Sequence, residues 1–326
     1  MKKLWKIILW VVVILVLIVG GSIVYITGFL PDISYDKTLK VEITPQRVQR
    51  GEYLANHVAL CMDCHSTRNW NLFAAPPEPG TLGVGGEVFD KKQGLPGTFV
   101  SRNLTPYHLK DYSDGEIYRA ITSGVGKNGR PLFPVMPYDG YGKMDNEDVF
   151  SIIAYLRTLS PIESSPVASK ADFPMNIIIH TIPAKGTPQA KPPESDTLAY
   201  GKYMVTAGAC IECHTPLVRG QLVPGKSFSG GRPFPVPTGG VVTSANITPD
   251  KLTGIGEWTE EAFVARFKAY DPQNFDPPEI QKDQFQTVMP WTMYAGMKES
   301  DLRAIFKYLH SLKPIENKVV KFSSNE

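Results

Sequence analysis

The pattern C-x-x-C-H occurs twice in the chain, as Cys61-Met62-Asp63-Cys64-His65 and as Cys210-Ile211-Glu212-Cys213-His214. These motifs contain all four cysteines of the 326 residues, so none remains for a structural disulfide. Two thiols three positions apart can add to the two vinyl groups of a porphyrin, and the adjacent histidine can then ligate the iron. The motifs therefore predict two covalently bound haem c groups, with Cys61, Cys64, Cys210 and Cys213 as attachment residues and His65 and His214 as axial ligands.

A C-x-x-C pair has two other common uses, a thioredoxin-type redox pair and half of a zinc site. The first use does not explain why a histidine follows the pair in both copies. The second needs a further Cys–His cluster to complete a tetrahedral shell, and the sequence offers none. The haem interpretation is therefore favoured over both.

The N-terminus carries three lysines, followed by residues 7–30 without a charged side chain. As a helix these 24 residues span roughly 36 Å, enough to cross a bilayer core. A cleaved secretory signal peptide has an apolar region of only about 7–15 residues that ends at a cleavage site of small residues. The apolar run here is longer and has no Ala-x-Ala pattern. We therefore expect an uncleaved single-pass anchor within residues 1–31. The lysines place the N-terminus in the cytoplasm of a bacterium and the rest of the chain in the periplasm.

The composition limits the possible classes of partner and fold. Basic residues number 34 and acidic residues 32, so the net charge is only +2 and gives no reason to expect nucleic acid as a partner. A chain with 42% hydrophobic residues, and with Gly and Pro at 28 each, is unlike a disordered chain or a coiled coil. Compact domains with long, turn-rich connections are expected.

The chain also contains an internal repeat. Residues 136–163 align without gaps with residues 289–316, with 12 of 28 positions identical, beginning at a shared Met-Pro. In each copy an apolar stripe at helical spacing predicts a closing helix, over 145–159 and 300–312, that stops before a proline. A glycine precedes each C-x-x-C-H motif, and a tyrosine lies on each closing helix. We expect close helix crossings at Gly51–Tyr155 and Gly201–Tyr308.

Each half resembles a class I cytochrome c domain. More closely, both resemble the haem domains of the cytochrome c subunit of membrane-bound alcohol and gluconate dehydrogenases. The second half carries this resemblance best, in Asn246-Ile247-Thr248-Pro249-Asp250, Gly254-Ile255-Gly256, Trp258 and Met289-Pro290. The resemblance implies an all-α fold in which one N-terminal transmembrane helix precedes two class I cytochrome c domains, over 45–163 and 195–316. A Pro-rich linker (164–194) joins the domains, and residues 317–326 form a tail.

The resemblance also implies Met136 as the sixth ligand of the first haem iron and Met289 as that of the second. A thioether is a soft, neutral ligand that raises the potential of a haem iron, and the proline after each methionine stiffens the loop. Methionine is also a common filler of hydrophobic cores. Because the repeat also pairs Met144 with Met297, these two remain the alternative ligands.

The remaining histidines have no counterpart in the other half, so we expect surface or hydrogen-bonded roles for His57, His108, His180 and His310. Asn103 and Asn246 are expected to form a hydrogen bond inside each haem loop. The apolar linker stretch 173–179 is expected to pack against a domain and fix the haems relative to each other, or to bind a partner.

Irons held by His on one face and Met on the other have no open coordination position, so we assign no catalytic residue. The sequence predicts an electron carrier attached to membrane lipid through its N-terminal helix. A quinol-oxidising complex or a dehydrogenase would be the donor, and a terminal oxidase the acceptor. One alternative is a dihaem cytochrome c peroxidase, which needs an exposed iron and an acid–base pair. Another is a fixed cytochrome subunit of a larger respiratory or dehydrogenase complex.

Overall fold

A long N-terminal helix and two helical units of similar plan make up the chain in a computed structural model that describes residues 2–324. Met1 and the last two residues of the expected tail lie outside the described residues. The helices before the linker are α1 (Lys2–Phe29), α2 (Pro45–Tyr53), α3 (Cys61–Cys64), α4 (Pro106–Leu109), α5 (Asp114–Ser123), α6 (Tyr138–Tyr141) and α7 (Asn146–Thr158). A π-helical turn, Leu54–Val58, continues α2. We call α2 to α7 the first unit.

The linker contains one short helix, α8 (Met175–Ile178), followed by a 3-10 turn, Ile179–Thr181. The second unit then comprises α9 (Thr197–Ala207), α10 (Cys210–Cys213), α11 (Glu260–Lys268), α12 (Trp291–Tyr294) and α13 (Glu299–His310). In both units the opening helix packs lengthwise on the closing helix, α2 on α7 and α9 on α13. Both units therefore have the helix order of a cytochrome c fold.

Short strands correct the all-α prediction. Within residues 2–324 about 40% of the residues are helical, and eight strands of two to four residues form three antiparallel sheets. The strands are β1 (Val88–Phe89), β2 (Gly97–Val100), β3 (Lys170–Ala171), β4 (Leu217–Val218), β5 (Gln221–Leu222), β6 (Pro233–Pro235), β7 (Val241–Thr243) and β8 (Phe322–Ser323). Six of these strands lie in the long loops after the C-x-x-C-H motifs, where β-branched and aromatic residues pair, as Val88 does with Val100, whereas β3 lies in the linker and β8 in the tail.

The closing helices confirm the prediction made from the repeat. Asp145 caps the start of α7 by accepting a hydrogen bond from the Glu147 amide. The apolar stripes of both helices are buried, comprising Val149, Ile152, Ile153 and Leu156 in α7 and Leu302, Ile305, Phe306 and Leu309 in α13. Each such side chain contributes roughly 1.5–3 kcal/mol when fully removed from water.

The two predicted glycine crossings are present. A Cβ atom at Gly51 would overlap the Ser151 carbonyl and lie 2.8 Å from the Tyr155 Cβ. A Cβ atom at Gly201 would overlap the Ala304 carbonyl and lie 3.0 Å from the Tyr308 Cβ. Only glycine lets the helices approach this closely, so each opening helix is fixed against its closing helix at this crossing.

Two reciprocal hydrogen bonds join the units. The Tyr53 hydroxyl donates to Asp301 Oδ2 at 2.5 Å, and the Tyr203 hydroxyl donates to Asp148 Oδ2 at 2.7 Å. The sequence repeat aligns Tyr53 with Tyr203 and Asp148 with Asp301. The tyrosine of each unit thus donates to the equivalent aspartate of the other unit. Such a reciprocal contact indicates an approximate two-fold relation between the units.

A side chain from the second unit also reaches into the first. Gln286 is fully buried and donates from Nε2 to the carbonyls of Trp70 and Leu72, while its Oε1 accepts from the Ala74 amide. Direct contacts of this kind hold the units together, and the linker helix α8 contacts α1 and β3.

Candidate haem-attachment sites

Both C-x-x-C-H motifs adopt the same local structure. The residue before the first cysteine has a left-handed backbone, with φ of 54° at Leu60 and 50° at Ala209. The motif then forms one helical turn, closed by a 3.0 Å bond from the histidine amide to the first cysteine carbonyl. A positive φ is unfavourable for leucine or alanine, so its recurrence in both copies marks a turn held by the surrounding fold.

Each motif histidine has one ring nitrogen occupied and one free. His65 Nδ1 lies 2.6 Å from the Arg102 carbonyl oxygen, and His214 Nδ1 lies 2.8 Å from that of Ala245. A carbonyl only accepts, so Nδ1 carries the proton and Nε2 presents a lone pair. Burial lowers the pKa of both imidazoles, which favours the neutral form that binds metals. The pair thus has the ring orientation and tautomer of axial ligands.

A glycine behind each histidine is a site residue that the sequence analysis missed. The Gly85 amide donates to the His65 carbonyl at 2.8 Å, and the Gly230 amide donates to the His214 carbonyl at 2.7 Å. Both glycines have positive φ, and a Cβ at either would overlap backbone atoms of the residue whose carbonyl accepts from the histidine, Arg102 or Ala245. The signal in the sequence was a Gly-Gly pair after each motif, at 85–86 and 230–231.

The predicted asparagine hydrogen bonds are present, and their partners are now identified. Asn103 Oδ1 accepts from the amide and the hydroxyl of Thr105, at 2.8 and 2.7 Å, and its Nδ2 donates to the Ile162 carbonyl at 2.8 Å. The second unit repeats these bonds with Asn246, Thr248 and Ile315. Each asparagine directly follows the residue whose carbonyl bonds to the motif histidine. It therefore links this part of the haem loop to the segment after the closing helix.

The methionines of the repeat fall into two environments. Met136 and Met289 are partly exposed beside the core, each at the start of the short helix that follows its proline. Met144 and Met297 are 1% and 2% exposed and belong to the core itself. A sulfur that binds a haem iron needs a surface open to the porphyrin. The environments therefore favour the Met-Pro pair over the alternative pair.

A tyrosine ties the Met-Pro helix to the attachment turn in each unit. The Tyr141 hydroxyl donates to the Ala59 carbonyl at 2.5 Å, and the Tyr294 hydroxyl donates to the Gly208 carbonyl at 2.9 Å. Burial raises the pKa of both phenols well above 10, so they remain donors. The sequence repeat aligns Tyr141 with Tyr294, and the structure gives both the same role.

The thiols and their surroundings do not match the other two uses of a C-x-x-C pair. Burial raises the pKa of Cys61 and Cys210 to about 12, whereas thioredoxin-type cysteines have lowered pKa values. Within residues 2–324, no group of three or more His, Cys, Asp or Glu side chains is placed to hold a metal ion. The cysteine pairs therefore lack the other ligands of a zinc site.

The first attachment turn has buried polar atoms without partners. Arg68 Nη1 lies 3.4 Å from Asp63 Oδ2, and both side chains are at least nine-tenths buried. Among the described residues, Asp63 Oδ1 and Arg68 Nη2 have no hydrogen-bond partner. Such atoms fit a site that receives a further group with polar substituents, as a haem has.

The two attachment turns lie next to each other. A Cβ at Gly208 would be 3.5 Å from the Cys210 sulfur and 3.7 Å from the Val58 carbonyl of the first unit. Gly208 is equivalent to Ala59 when Cys61 is aligned with Cys210, so this contact joins nearly equivalent positions of the two units. The C-x-x-C-H turns begin two or three residues beyond it on either side.

Three of the remaining histidines bond to backbone carbonyl oxygens. His57 Nδ1 contacts the Met293 carbonyl of the second unit at 2.8 Å. His180 and His310 contact the carbonyls of Leu30 and Ile255, at 2.8 and 2.9 Å. These partners agree with the hydrogen-bonded roles expected from the sequence.

Comparisons with known proteins support the interpretation of this geometry. The profile of the cytochrome c family matches residues 198–313. The chain is 28% identical to the cytochrome c subunit of alcohol dehydrogenase (quinone) from Gluconacetobacter polyoxogenes, over 82% of this chain and 56% of that protein. It is 30% identical to the gluconate 2-dehydrogenase cytochrome c subunit of Pantoea cypripedii, over 66% and 49%. A "diheme cytochrome c-type" protein of Cereibacter sphaeroides is 26% identical over 93% and 97%.

The chain spans about half the length of the dehydrogenase subunits that it matches. Their names agree with the resemblance to cytochrome c subunits of dehydrogenases that was predicted from the sequence. A cytochrome c domain also implies a covalently bound haem c. The chain thus contains a cytochrome c domain and is a relative of the cytochrome c subunits of alcohol, gluconate and fructose dehydrogenases.

Proposed function

We propose that the chain is a membrane-anchored dihaem cytochrome c that passes single electrons between redox proteins on the periplasmic side of a bacterial inner membrane. The observation that carries this proposal is the duplicated attachment geometry. Each motif has a left-handed residue, a helical turn and a histidine whose Nδ1 donates to a carbonyl. In this proposal residues 1–31 are the anchor, 45–163 and 195–316 the haem domains, 164–194 the linker and 317–326 the tail.

The residues divide into attachment and axial groups. Cys61, Cys64, Cys210 and Cys213 would hold two haems covalently. His65 and His214 would ligate the irons through Nε2, and Met136 and Met289 would supply the remaining ligands. Each bound haem supplies an iron that gains or loses one electron. The chain contributes the fixed imidazole tautomer, the stiffened Met-Pro loops and a packed core that excludes water.

The same ligand set in both units favours a relay over a peroxidase. A peroxidase needs two haems with different ligation, one of them open to peroxide. Here the two sites share their motif, their histidine geometry, their asparagine loop and their Met-Pro helix. We therefore assign no catalytic residue.

Dehydrogenase partners are supported by the names of the relatives, which are cytochrome c subunits of dehydrogenases. We propose a dehydrogenase or a quinol-oxidising complex as electron donor and a terminal oxidase as acceptor. The chain could equally be a permanent subunit of such a complex, because electron transfer through the two haem sites does not depend on how long the chain stays bound to its redox partner.

The anchor is supported by α1. Among residues 2–324 it is the one helix long and apolar enough to cross a membrane, and none of its side chains is buried. Its 28 residues extend about 42 Å. Exposed Trp5 and Trp10 lie toward one end, and exposed Tyr25 and Phe29 lie toward the other, as in the aromatic belts of membrane helices.

The test is spectroscopic. Both oxidised haems should show the near-infrared sulfur-to-iron charge-transfer band, and Met136→Ala and Met289→Ala should each remove half of it. Met144→Ala is the matched control, because a buried core methionine costs about 2–5 kcal/mol of stability when truncated but leaves the band in folded protein. A high-spin haem in the resting protein with turnover of peroxide would overturn the relay.

A further inference from the structure

The apolar part of the linker is fastened to the end of α1. The helix α8 and the 3-10 turn after it contact the C-terminal end of α1. His180 Nδ1 lies 2.8 Å from the Leu30 carbonyl oxygen and therefore donates to it. Ile179, the first residue of this 3-10 turn, is 8% exposed. The end of α1 and residues 175–181 form one packed element.

The other end of the segment is fastened to the first unit. The strand β3 pairs with β2, and the Asp172 amide donates to the Pro96 carbonyl at 2.9 Å. The Asp172 carboxylate also lies 2.9 Å from Lys91 Nζ. The Asn176 amide then donates to the Asp172 carbonyl at 2.8 Å. Residues 172–181 therefore have a defined position.

Within this fixed segment two large apolar side chains face outward. Phe173 is 80% exposed and Ile178 is 43% exposed. Residues 173–184 contain no Asp, Glu, Lys or Arg. Fully burying one such side chain is worth roughly 1.5–3 kcal/mol, so a fixed, uncharged segment that exposes two of them is typical of a binding surface.

The position of the surface identifies what covers it. A bilayer core takes about 20 helical residues, and 20 residues counted from Ile7 end at Ile26. The last turn of α1, which carries the stacked rings of Tyr25 and Phe29 (centroids 5.7 Å apart), then lies at the interface. The apolar linker segment is packed against this same turn. Aromatic and aliphatic side chains at that level lie among lipid headgroups and the first acyl carbons.

We propose that Phe173 and Ile178 insert into the interface of the bilayer that α1 spans. The inference rests on the anchoring part of the proposed function. The segment is bonded to β2 of the first unit as well as to α1, so its insertion fixes the orientation of that unit relative to the membrane.

The test places a nitroxide at Phe173→Cys in the full chain, reconstituted in nanodiscs of phosphatidylethanolamine and phosphatidylglycerol. The unsubstituted chain is labelled in parallel, and it should take up no label because its four cysteines are consumed by thioether bonds. Val16→Cys reports on the span. Leu252→Cys, 88% exposed on the second unit, is the matched aqueous control. Relaxation by oxygen, which partitions into lipid, is compared with relaxation by a water-soluble nickel chelate.

The proposal predicts that labels at 16 and 173 relax mainly with oxygen, and that the label at 252 relaxes mainly with nickel. A lipid-exposed label at 16 with a nickel-exposed label at 173 would overturn the insertion and leave the anchor intact. A label at 173 shielded from both reagents would show a protein cover and would also overturn it. A nickel-exposed label at 16 would refute the anchor itself, and the insertion with it.

Discussion

Replacing Tyr53 by phenylalanine tests the contact between the two units. The substitution keeps the ring and removes the hydroxyl that donates to Asp301 at 2.5 Å, a short, charge-assisted hydrogen bond. Asp301 is 1% exposed, and its remaining hydroxyl donors are Tyr200 at 3.1 Å and Ser300 at 3.4 Å. The substitution therefore leaves a buried carboxylate poorly satisfied.

Tyr203→Phe is the matched comparison, because the repeat gives Tyr203 the same role toward Asp148. Asp148 has a stronger second partner, since Arg50 donates two hydrogen bonds to it at 2.9 and 2.8 Å. Hydrogen bonds to charged groups are worth about 1.5–3 kcal/mol. We expect Tyr53→Phe to lower the free energy of unfolding by about 2 kcal/mol and Tyr203→Phe to lower it by about 1 kcal/mol.

The assay is urea denaturation of the full chain in detergent, with the midpoints compared at a common slope. A loss of about 2 kcal/mol shifts the ratio of folded to unfolded protein about 30-fold, which such curves resolve. Equal losses, or a larger loss for Tyr203→Phe, would refute the reasoning, because they would mean that Arg50 does not compensate at Asp148.

Three further predictions concern stability. Gly51→Ala should lower the free energy of unfolding by about 1–3 kcal/mol, because the added Cβ would overlap a backbone carbonyl. In the control Gly126→Ala the added Cβ meets its nearest atoms at 3.6 Å, so this variant should be neutral or more stable by about 0.5 kcal/mol. A Gly51→Ala variant that is more stable in urea denaturation would disprove the crossing. Burial opposes ionisation of Asp148, but the hydrogen bonds and charge of Arg50 lower its pKa, so the carboxylate contributes stability above about pH 4 that is lost as the pH falls further. Asp148→Asn should therefore make the free energy of unfolding depend less on pH in this acid range. An unchanged pH dependence would contradict the pairing with Arg50. Gln286→Ala should cost about 2 kcal/mol and speed amide exchange in the loop that its side chain holds, which unchanged exchange would contradict.

Local patterns made much of the fold and the site predictable. The C-x-x-C-H turns and the closing helices depend on residues near in sequence, so spacing and apolar periodicity were sufficient. The repeat added long-range information, because two aligned glycines and two aligned tyrosines indicated the helix crossings at Gly51 and Gly201. The asparagine hydrogen bonds were expected for the same reason, but their carbonyl partners were not.

The features that were missed depend on contacts between distant segments. Strands of two to four residues, such as β3 pairing with β2, have too few positions to show a period. The Tyr53–Asp301 and Tyr203–Asp148 bonds join the two halves, and nothing in the sequence indicated that the halves face each other. The apolar stretch 173–179 was expected to pack against a domain and fix the haems relative to each other, or to bind a partner; the sequence did not indicate the contact of its helix α8 with α1.

The central claim is that the chain carries two covalently attached haems, each ligated by a motif histidine. The most direct test is the haem content of the purified full chain, measured by intact mass and by the pyridine haemochrome assay. We expect a mass increase of two haems and two haemochromes per chain, falling to one when Cys210 and Cys213 are both replaced by alanine. A colourless protein, or one haem in the unsubstituted chain, would contradict it.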